Sequence, residues 1–403
     1  MLLRLRSTYH NYPGQFWLMF SGYLVSSIGS SMIWPFIMIY ARQKLNLPMS
    51  SIAFLMTINA VSGLVSLVFA GPMVDRLGRK WLMVASLIAN GMGYIYLSTA
   101  GNYFAFALAM VINGASNPLY RVGADAMIAD LLVPDKRVDG YALMRMSNNL
   151  GVAIGPAVGG FLVAESYYLA FYMAAFGLCF FGVLLLFFAR ETMPVIEPTA
   201  IQNPEKKQGG YRPVLRDGAF LSFLGAYTLN GIAIMIVWVL LGVYAKENYQ
   251  VPESLYGWLP TTNAVLIVLF QVIVTNVTKK FKILNVMTLG ALFYASAAAG
   301  IVLGRGFWGF WLCMVVLTVG EMILIPASST YTANRAPIDM RGRYMGLYTW
   351  ANGMALAIGP VLGGTLNDTF GPQAIWYGAG IVGFGGVAWF LVNALRARPG
   401  LGE

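Results

Sequence analysis

Charge is scarce in this chain. Only 10% of its 403 residues are Asp, Glu, Lys or Arg, and it holds one histidine and two cysteines. A water-soluble domain carries about a quarter of its residues as charges, so there is too little polar material here to cover a core in water. With histidine nearly absent, the usual metal ligands and general bases are missing. The single His10 lies in the N-terminal tail. Cys179 and Cys313 fall in apolar runs and read as packing residues, not a disulfide, and no zinc-ligand spacing occurs. The chain shows no nucleophile–base set, metal cluster or phosphate loop. No enzymatic activity, metal or cofactor is expected.

What the chain does have is apolar length. It is 58% hydrophobic with a mean hydropathy of +0.67. A spanning helix needs about 20 apolar residues. Runs of that kind lie near 16–40, 50–73, 81–99, 103–129, 140–163, 168–189, 219–245, 254–277, 283–303, 307–332, 342–366 and 373–395. They are continuous, without the period-two alternation of barrel strands, so they predict twelve helical spans. The first run follows Arg4 and Arg6, as in a signal peptide, but continues past Tyr40 without a small-residue cleavage site and reads as an uncleaved span.

The net charge of +10 is unevenly distributed. With the N-terminus inside, cytoplasmic segments hold Arg4, Arg6, Arg76, Arg79, Lys80, Lys136, Arg137, Arg190, Lys206, Lys207, Arg212, Arg216, Lys279, Lys280, Lys282, Arg335, Arg341, Arg343, Arg396 and Arg398. External loops hold Arg42, Lys44, Lys246 and Arg305, while Arg121 and Arg145 fall within spans. This bias places both termini in the cytoplasm. The basic excess is therefore topological, and nucleic acid is not expected as a partner.

One long polar interruption, residues 190–218, is rich in Pro, Gly and charge and reads as a cytoplasmic linker. It divides the chain into six-helix halves, 1–189 and 219–403. The halves echo each other at an offset of 204 residues: Asn149–Gly160 reads NLGVAIGPAVGG and Gly353–Gly364 reads GMALAIGPVLGG. Upstream, DKRVDGY from Asp135 matches DMRGRY from Asp339. Duplicated halves of this kind place a substrate site near the membrane midplane, with the halves rocking about it.

Gly71-Pro72-Met73-Val74-Asp75-Arg76-Leu77-Gly78-Arg79-Lys80 follows the second run. Gly71 permits close helix approach, Asp75 suits a helix N-terminus, and Gly78 permits a tight turn. The segment resembles the G-x-x-x-D-R-x-G-R-K/R signature of the major facilitator superfamily. That resemblance implies the fold, all-α with twelve transmembrane helices in two pseudo-symmetric bundles, and a latch role for the loop. The equivalent loop at 275–282 lacks the Asp and Gly. Gly151, Gly155, Pro156, Gly159 and Gly160 resemble the G-x-x-x-G-P-x-x-G-G motif of drug:proton antiporters, which implies export; small residues there also serve helix packing. In similar exporters an Asp at the place of Asp130 pairs with the latch, so Asp130 is expected on Arg79 or Arg76. The other reading is a solvated carboxylate.

Four ionisable residues stand inside the runs: Arg121, Asp125, Arg145 and Glu321. A charge at the bilayer centre costs about 2.5–3.5 kcal/mol even on the lenient insertion scale, so each needs a partner or a wet cavity. Asn113, Asn117, Arg121 and Asp125 recur every four residues and form one polar face. Arg145, Asn148 and Asn149 share another. Glu321 lies centrally in its run, where desolvation favours the neutral acid. It is the expected proton carrier, with Asp125 and Arg121 as further coupling residues. The alternatives are a permanently protonated Glu321 and a structural network around Asp125 and Arg145. Trp34, Asn230, Trp238, Asn263, Trp350 and Asn352 complete the expected cavity, although a single Trp as often faces lipid. One departure stands out: the Arg that proton antiporters carry four residues before a Gly is Met110 here, ahead of Gly114.

Together these readings imply export of small amphipathic or lipophilic compounds in exchange for protons, by a monomer in lipid at the bacterial inner membrane. A proton-coupled exporter of one metabolite, a lipid flippase and a non-transporting receptor are the alternatives.

Overall fold

The structure, a computed structural model, describes residues 12–193, 211–337 and 340–396. The basic residues Arg4, Arg6, Lys206, Lys207 and Arg398, together with His10, Asp339 and most of the expected linker, lie outside them. The described chain is helical: α1 (Gly14–Ile33), α2 (Ile37–Leu45), α3 (Met49–Leu77), α4 (Arg79–Thr99), α5 (Tyr103–Leu131), α6 (Pro134–Glu165), α7 (Tyr167–Phe188), α8 (Gly218–Tyr249), α9 (Glu253–Tyr256), α10 (Trp258–Thr278), α11 (Ile283–Gly300), α12 (Gly306–Arg335), α13 (Arg341–Phe370) and α14 (Ala374–Arg396). A 3-10 turn at Trp34–Phe36 separates α1 from α2. Pro35 lies in that turn, and proline cannot donate the helical hydrogen bond.

Among the described residues, ten helical segments are long and apolar enough to cross a membrane. The two other long helices, α5 and α13, have 29 and 30 residues. At about 1.5 Å per residue each exceeds the roughly 30 Å hydrocarbon core. Their hydropathy is lowered by polar side chains, Asn113 and Asn117 in α5 and Thr349 and Asn352 in α13. These two helices complete twelve spans.

Packing divides the described chain into two compact units. One holds residues 12–45, 58–193 and 252–264; the other holds 46–57, 211–251 and the described residues from 265 onward. In the first, α1 packs on α6 and α7, and α4 on α5 and α7. In the second, α8 packs on α13 and α14, and α11 on α12 and α14.

Lipid tails are as apolar as leucine, so helices associate in a membrane through close contact at small residues. The repeated glycine motif supplies that contact. On α6, Gly151, Gly155 and Gly159 abut Ser27, Ser31 and the Met32 backbone of α1, leaving no space for a Cβ. Ser31 Oγ donates to the Gly151 carbonyl at 3.0 Å across the seam. On α13, Gly359 and Gly363 abut Ile232, Ile236 and Leu240 of α8 in the same manner. The last glycine of each copy receives another helix: Gly160 meets Glu253 and Ser254, and Gly364 meets Met49 and Ser50. Glu253 and Met49 are themselves 204 residues apart, so the repeat extends to what its glycines touch.

Helix starts are capped by polar side chains. Asn102 Oδ1 accepts from Ala105 N at 2.9 Å on α5, and Asp217 Oδ1 accepts from Phe220 N at 3.1 Å on α8. Asp368 accepts from the Met49 and Ser50 amides at 3.0 and 2.9 Å, capping α3 inside the second unit.

Candidate functional site

Among the described residues, three polar clusters hold residues expected at the site. The first surrounds the turn between α3 and α4. Gly78 has φ +90°, a left-handed value that a side chain would strain. Arg79 is largely buried; its Nε donates to Asp130 Oδ2 at 3.0 Å, and its Nη1 lies 3.7 Å from Asp75 Oδ1. Arg76 stays exposed. Gly71 does not show the expected close approach: nothing lies within 4 Å of where its Cβ would be. Asp75, predominantly exposed, faces Arg79 one turn on instead of a helix N-terminus.

A further carboxylate completes this cluster. Glu191 Oε1 accepts from Arg79 N at 2.9 Å, and Oε2 from Lys80 N at 3.0 Å. Its Oε1 also accepts from the Thr192 and Met193 amides at 2.9 and 3.0 Å. Thr192 Oγ1 donates to Asp130 Oδ2 at 3.2 Å. Glu191 thus caps α4, whose first residues offer amides without intrahelical acceptors.

The second place is the face of α5 and α6 in the first unit. Asn117, Arg121, Asp125 and Arg145 are exposed there, and Asn149 is half-buried. Arg121 acts electrostatically on Asp125, and Tyr141 Oη donates to the Asp125 carbonyl at 2.8 Å. Asn113 departs from the expected stripe: it is 7% exposed and seated against Gly93, so it belongs to the helix interior and not to an open cavity.

The third place is in the second unit. Glu321 on α12 is half-buried and acts electrostatically on Tyr227 of α8 and Tyr294 of α11. Tyr227 Oη lies 3.0 Å from both Tyr348 Oη and Asn352 Oδ1. Asn352 Nδ2 donates to the Tyr348 carbonyl at 3.2 Å. Gln271 Nε2 donates to the Met322 carbonyl at 3.1 Å, tying α10 to the residue after Glu321. Rings enclose the group: Tyr227 and Tyr348 have centroids 4.9 Å apart, and Phe223 and Tyr331 4.8 Å.

The remaining expected cavity residues separate. Trp34 and Trp350 are 38% and 47% exposed, and Trp238 is half-buried. Asn230 is completely buried, its Nδ2 donating to the Ala291 and Gly383 carbonyls at 3.2 and 3.4 Å. It fastens α8 to α11 and α14. Asn263, 5% exposed, is likewise interior. Both sit in the helix interior and not on an open face, and the Nδ2 of Asn230 bonds neighbouring backbones while its Oδ1 is buried without a hydrogen-bond partner.

A second ion-pair site lies at the start of α8. Arg335 Nε and Nη2 each donate to Asp217 at 2.8 Å, and Tyr344 Oη donates at 3.0 Å. Burial alone would push the Asp217 carboxyl up, but the Arg335, Phe220 and Tyr344 hydrogen bonds outweigh it and hold it below the usual carboxylate range.

The profile of the Major Facilitator Superfamily matches residues 19–228 and 223–402. A Na(+), Li(+), K(+)/H(+) antiporter of Planococcus maritimus is 25% identical over 381 residues, covering 87% of each chain. Multidrug resistance protein MdtH of Cronobacter sakazakii is 24% identical over 348 residues, covering 83% of this chain and 84% of its own. Among solved structures, peptide transporter POT in complex with sulfate superposes with a TM-score of 0.78 at 17% identity, covering 95% of this chain and 94% of that one. A variant of nucleoside transporter NupG gives 0.78 at 14% identity, covering 93% and 99%. The chain belongs to the Major Facilitator Superfamily. It is an integral membrane transporter with that family's fold, and not an enzyme.

Proposed function

We propose that this transporter exports small amphipathic or lipophilic compounds, cations foremost, in exchange for protons entering the cell. It does so in the bacterial cytoplasmic membrane, with both termini inside. The observation that carries the reading is Glu321, a half-buried carboxylate in the middle of an apolar helix, with tyrosines of two neighbouring helices in its electrostatic field. A carboxylate in that setting holds a proton or a cation but not both, and that competition is what couples two fluxes. The names of the antiporter and multidrug relatives support the same class of activity.

In this reading Arg121 and Asp125 assist proton movement. Trp34, Asn117, Arg145, Asn149, Trp238, Trp350 and Asn352 meet the cargo. Gly71–Lys80 with Asp130 stabilises one state of an alternating-access cycle in which the halves 1–189 and 219–403, joined by 190–218, rock as a monomer. Gly151–Gly160 keeps α1 and α6 locked within their half.

The test uses inside-out vesicles with an imposed inside-acid gradient and an internal pH dye. Lipophilic cations should release protons in the wild type and not in Glu321→Gln. Release triggered only by a sugar or amino acid would identify a metabolite exporter. Binding without release would point to a uniporter, a flippase or a receptor.

A further inference from the structure

The two copies of the repeat carry opposite charge balances at equivalent turns. The turn between α3 and α4 brings Arg76, Arg79 and Lys80 together with Asp75, Asp130 and Glu191, so its charges offset each other. The equivalent turn, between α10 and α11, holds Lys279, Lys280 and Lys282. No Asp or Glu stands between Glu253 and Glu321, so neither α10 from Trp258 nor α11 supplies a counter-charge. All three lysines are exposed. Lys279 Nζ donates to the neutral Asn276 Oδ1 at 2.7 Å, and among the described residues none of the three forms an ion pair.

The face of α10 that leads into this turn is apolar and open. Val265, Val268, Leu269, Val272, Ile273 and Val277 are each 41% to 70% exposed. Their spacing puts them on one side of the helix. Gln271, on the other side, holds the Met322 carbonyl of α12 at 3.1 Å. From residue 265 to 277 the helix rises about 18 Å, close to the roughly 15 Å of hydrocarbon in one leaflet. The stripe therefore matches the depth of one leaflet and brings the lysines to the level of its headgroups. Phe281, 64% exposed, stands among them and offers an apolar side chain at that boundary.

We propose that the 279–282 turn holds the headgroup of an anionic phospholipid whose acyl chain lies along the 265–277 face of α10. The complementarity is twofold. Three cations without a protein counter-ion meet the phosphate, and a continuous apolar stripe meets the tail. A zwitterionic lipid offers the same tail without net charge, so the lysines discriminate by headgroup. This assignment does not depend on Glu321 or on the cargo.

The experiment uses purified full-length protein in phosphatidylcholine vesicles, with a dye on Val277→Cys in a Cys179→Ser, Cys313→Ser background. Quenching by brominated phosphatidylglycerol is compared with quenching by brominated phosphatidylcholine. The anionic lipid should be enriched at the label at least about fivefold, the scale of one lysine near an anionic surface. Replacing Lys279, Lys280 and Lys282 together by Gln should return the ratio to one. Arg212→Gln with Arg216→Gln removes cations elsewhere in the same unit and should leave the ratio in place. Inorganic phosphate added to the vesicles should not displace the lipid. Equal quenching by the two lipids, or a preference that survives the lysine substitutions, overturns the proposal. An equal drop in the arginine variant would show a general surface field, and displacement by phosphate a free-anion site; either result also overturns it.

Discussion

Removing the Glu191 carboxylate should open the turn that carries Gly78–Lys80. The carboxylate accepts four backbone N–H groups, two of them the first amides of α4. A hydrogen bond to a charged group is worth about 1.5–3 kcal/mol, and an anion at a helix N-terminus adds about 0.3–1 kcal/mol. Glu191 is exposed, so water competes for each of these bonds. We take about 2 kcal/mol in total for Glu191→Ala, which is roughly a 30-fold change in local opening. Hydrogen exchange followed by mass spectrometry reads this directly, because the amides of Arg79 and Lys80 are the donors. Their protection should fall about 30-fold in Glu191→Ala, while amides in the middle of α4 keep theirs. Glu191→Gln should fall between, since a carbonyl at the Oε1 position keeps three of the four bonds without the charge. Unchanged protection at Arg79 and Lys80 in Glu191→Ala would refute the capping argument.

Three further outcomes are expected. Gly71→Ala should leave thermal stability in detergent unchanged or slightly raised, since the site is open and alanine favours a helix by about 0.5–1 kcal/mol. Gly159→Val should abolish recovery of folded protein, because the Met32 backbone occupies the space. Asp217→Asn should lower the unfolding midpoint at neutral pH by an amount equivalent to about 1–2 kcal/mol. The folded carboxyl is held low, so its contribution is present above the unfolded value of about 3.9 and is lost as pH falls through the folded one. The gap to wild type should therefore close in acid, and a gap that widens there would contradict the sign.

The spans were legible because apolar runs of about 20 residues have one structural use, and the repeated glycine motif because close helix contact admits only small side chains. Helices α5 and α13 were legible as apolar runs near 103–129 and 342–366, although their amides lower the hydropathy. Glu191 was not legible. It is a single acid just past the end of an apolar run, and nothing in its spacing distinguishes a cap on another helix from a solvated charge. Asp217 carried a readable sign, an Asp just before an apolar run, yet it was absorbed into the linker. Tyr227 and Tyr348 sit in apolar stretches where a tyrosine reads as packing, and only the fold brings their hydroxyls together beside Asn352. The amides show the opposite failure: Asn113, Asn230 and Asn263 looked like cavity residues because sequence cannot distinguish a buried amide from one that faces cargo.

The central claim is that a proton and a cation exclude each other at Glu321. It is tested most directly by measuring the affinity of purified protein for a lipophilic cation across pH, in the wild type and in Glu321→Gln. The account predicts that wild-type affinity falls about tenfold per pH unit below the titration of the carboxyl, with one proton released per cation bound. In Glu321→Gln, affinity should be weak and independent of pH. Wild-type affinity independent of pH, or a pH dependence that persists in Glu321→Gln, would contradict it.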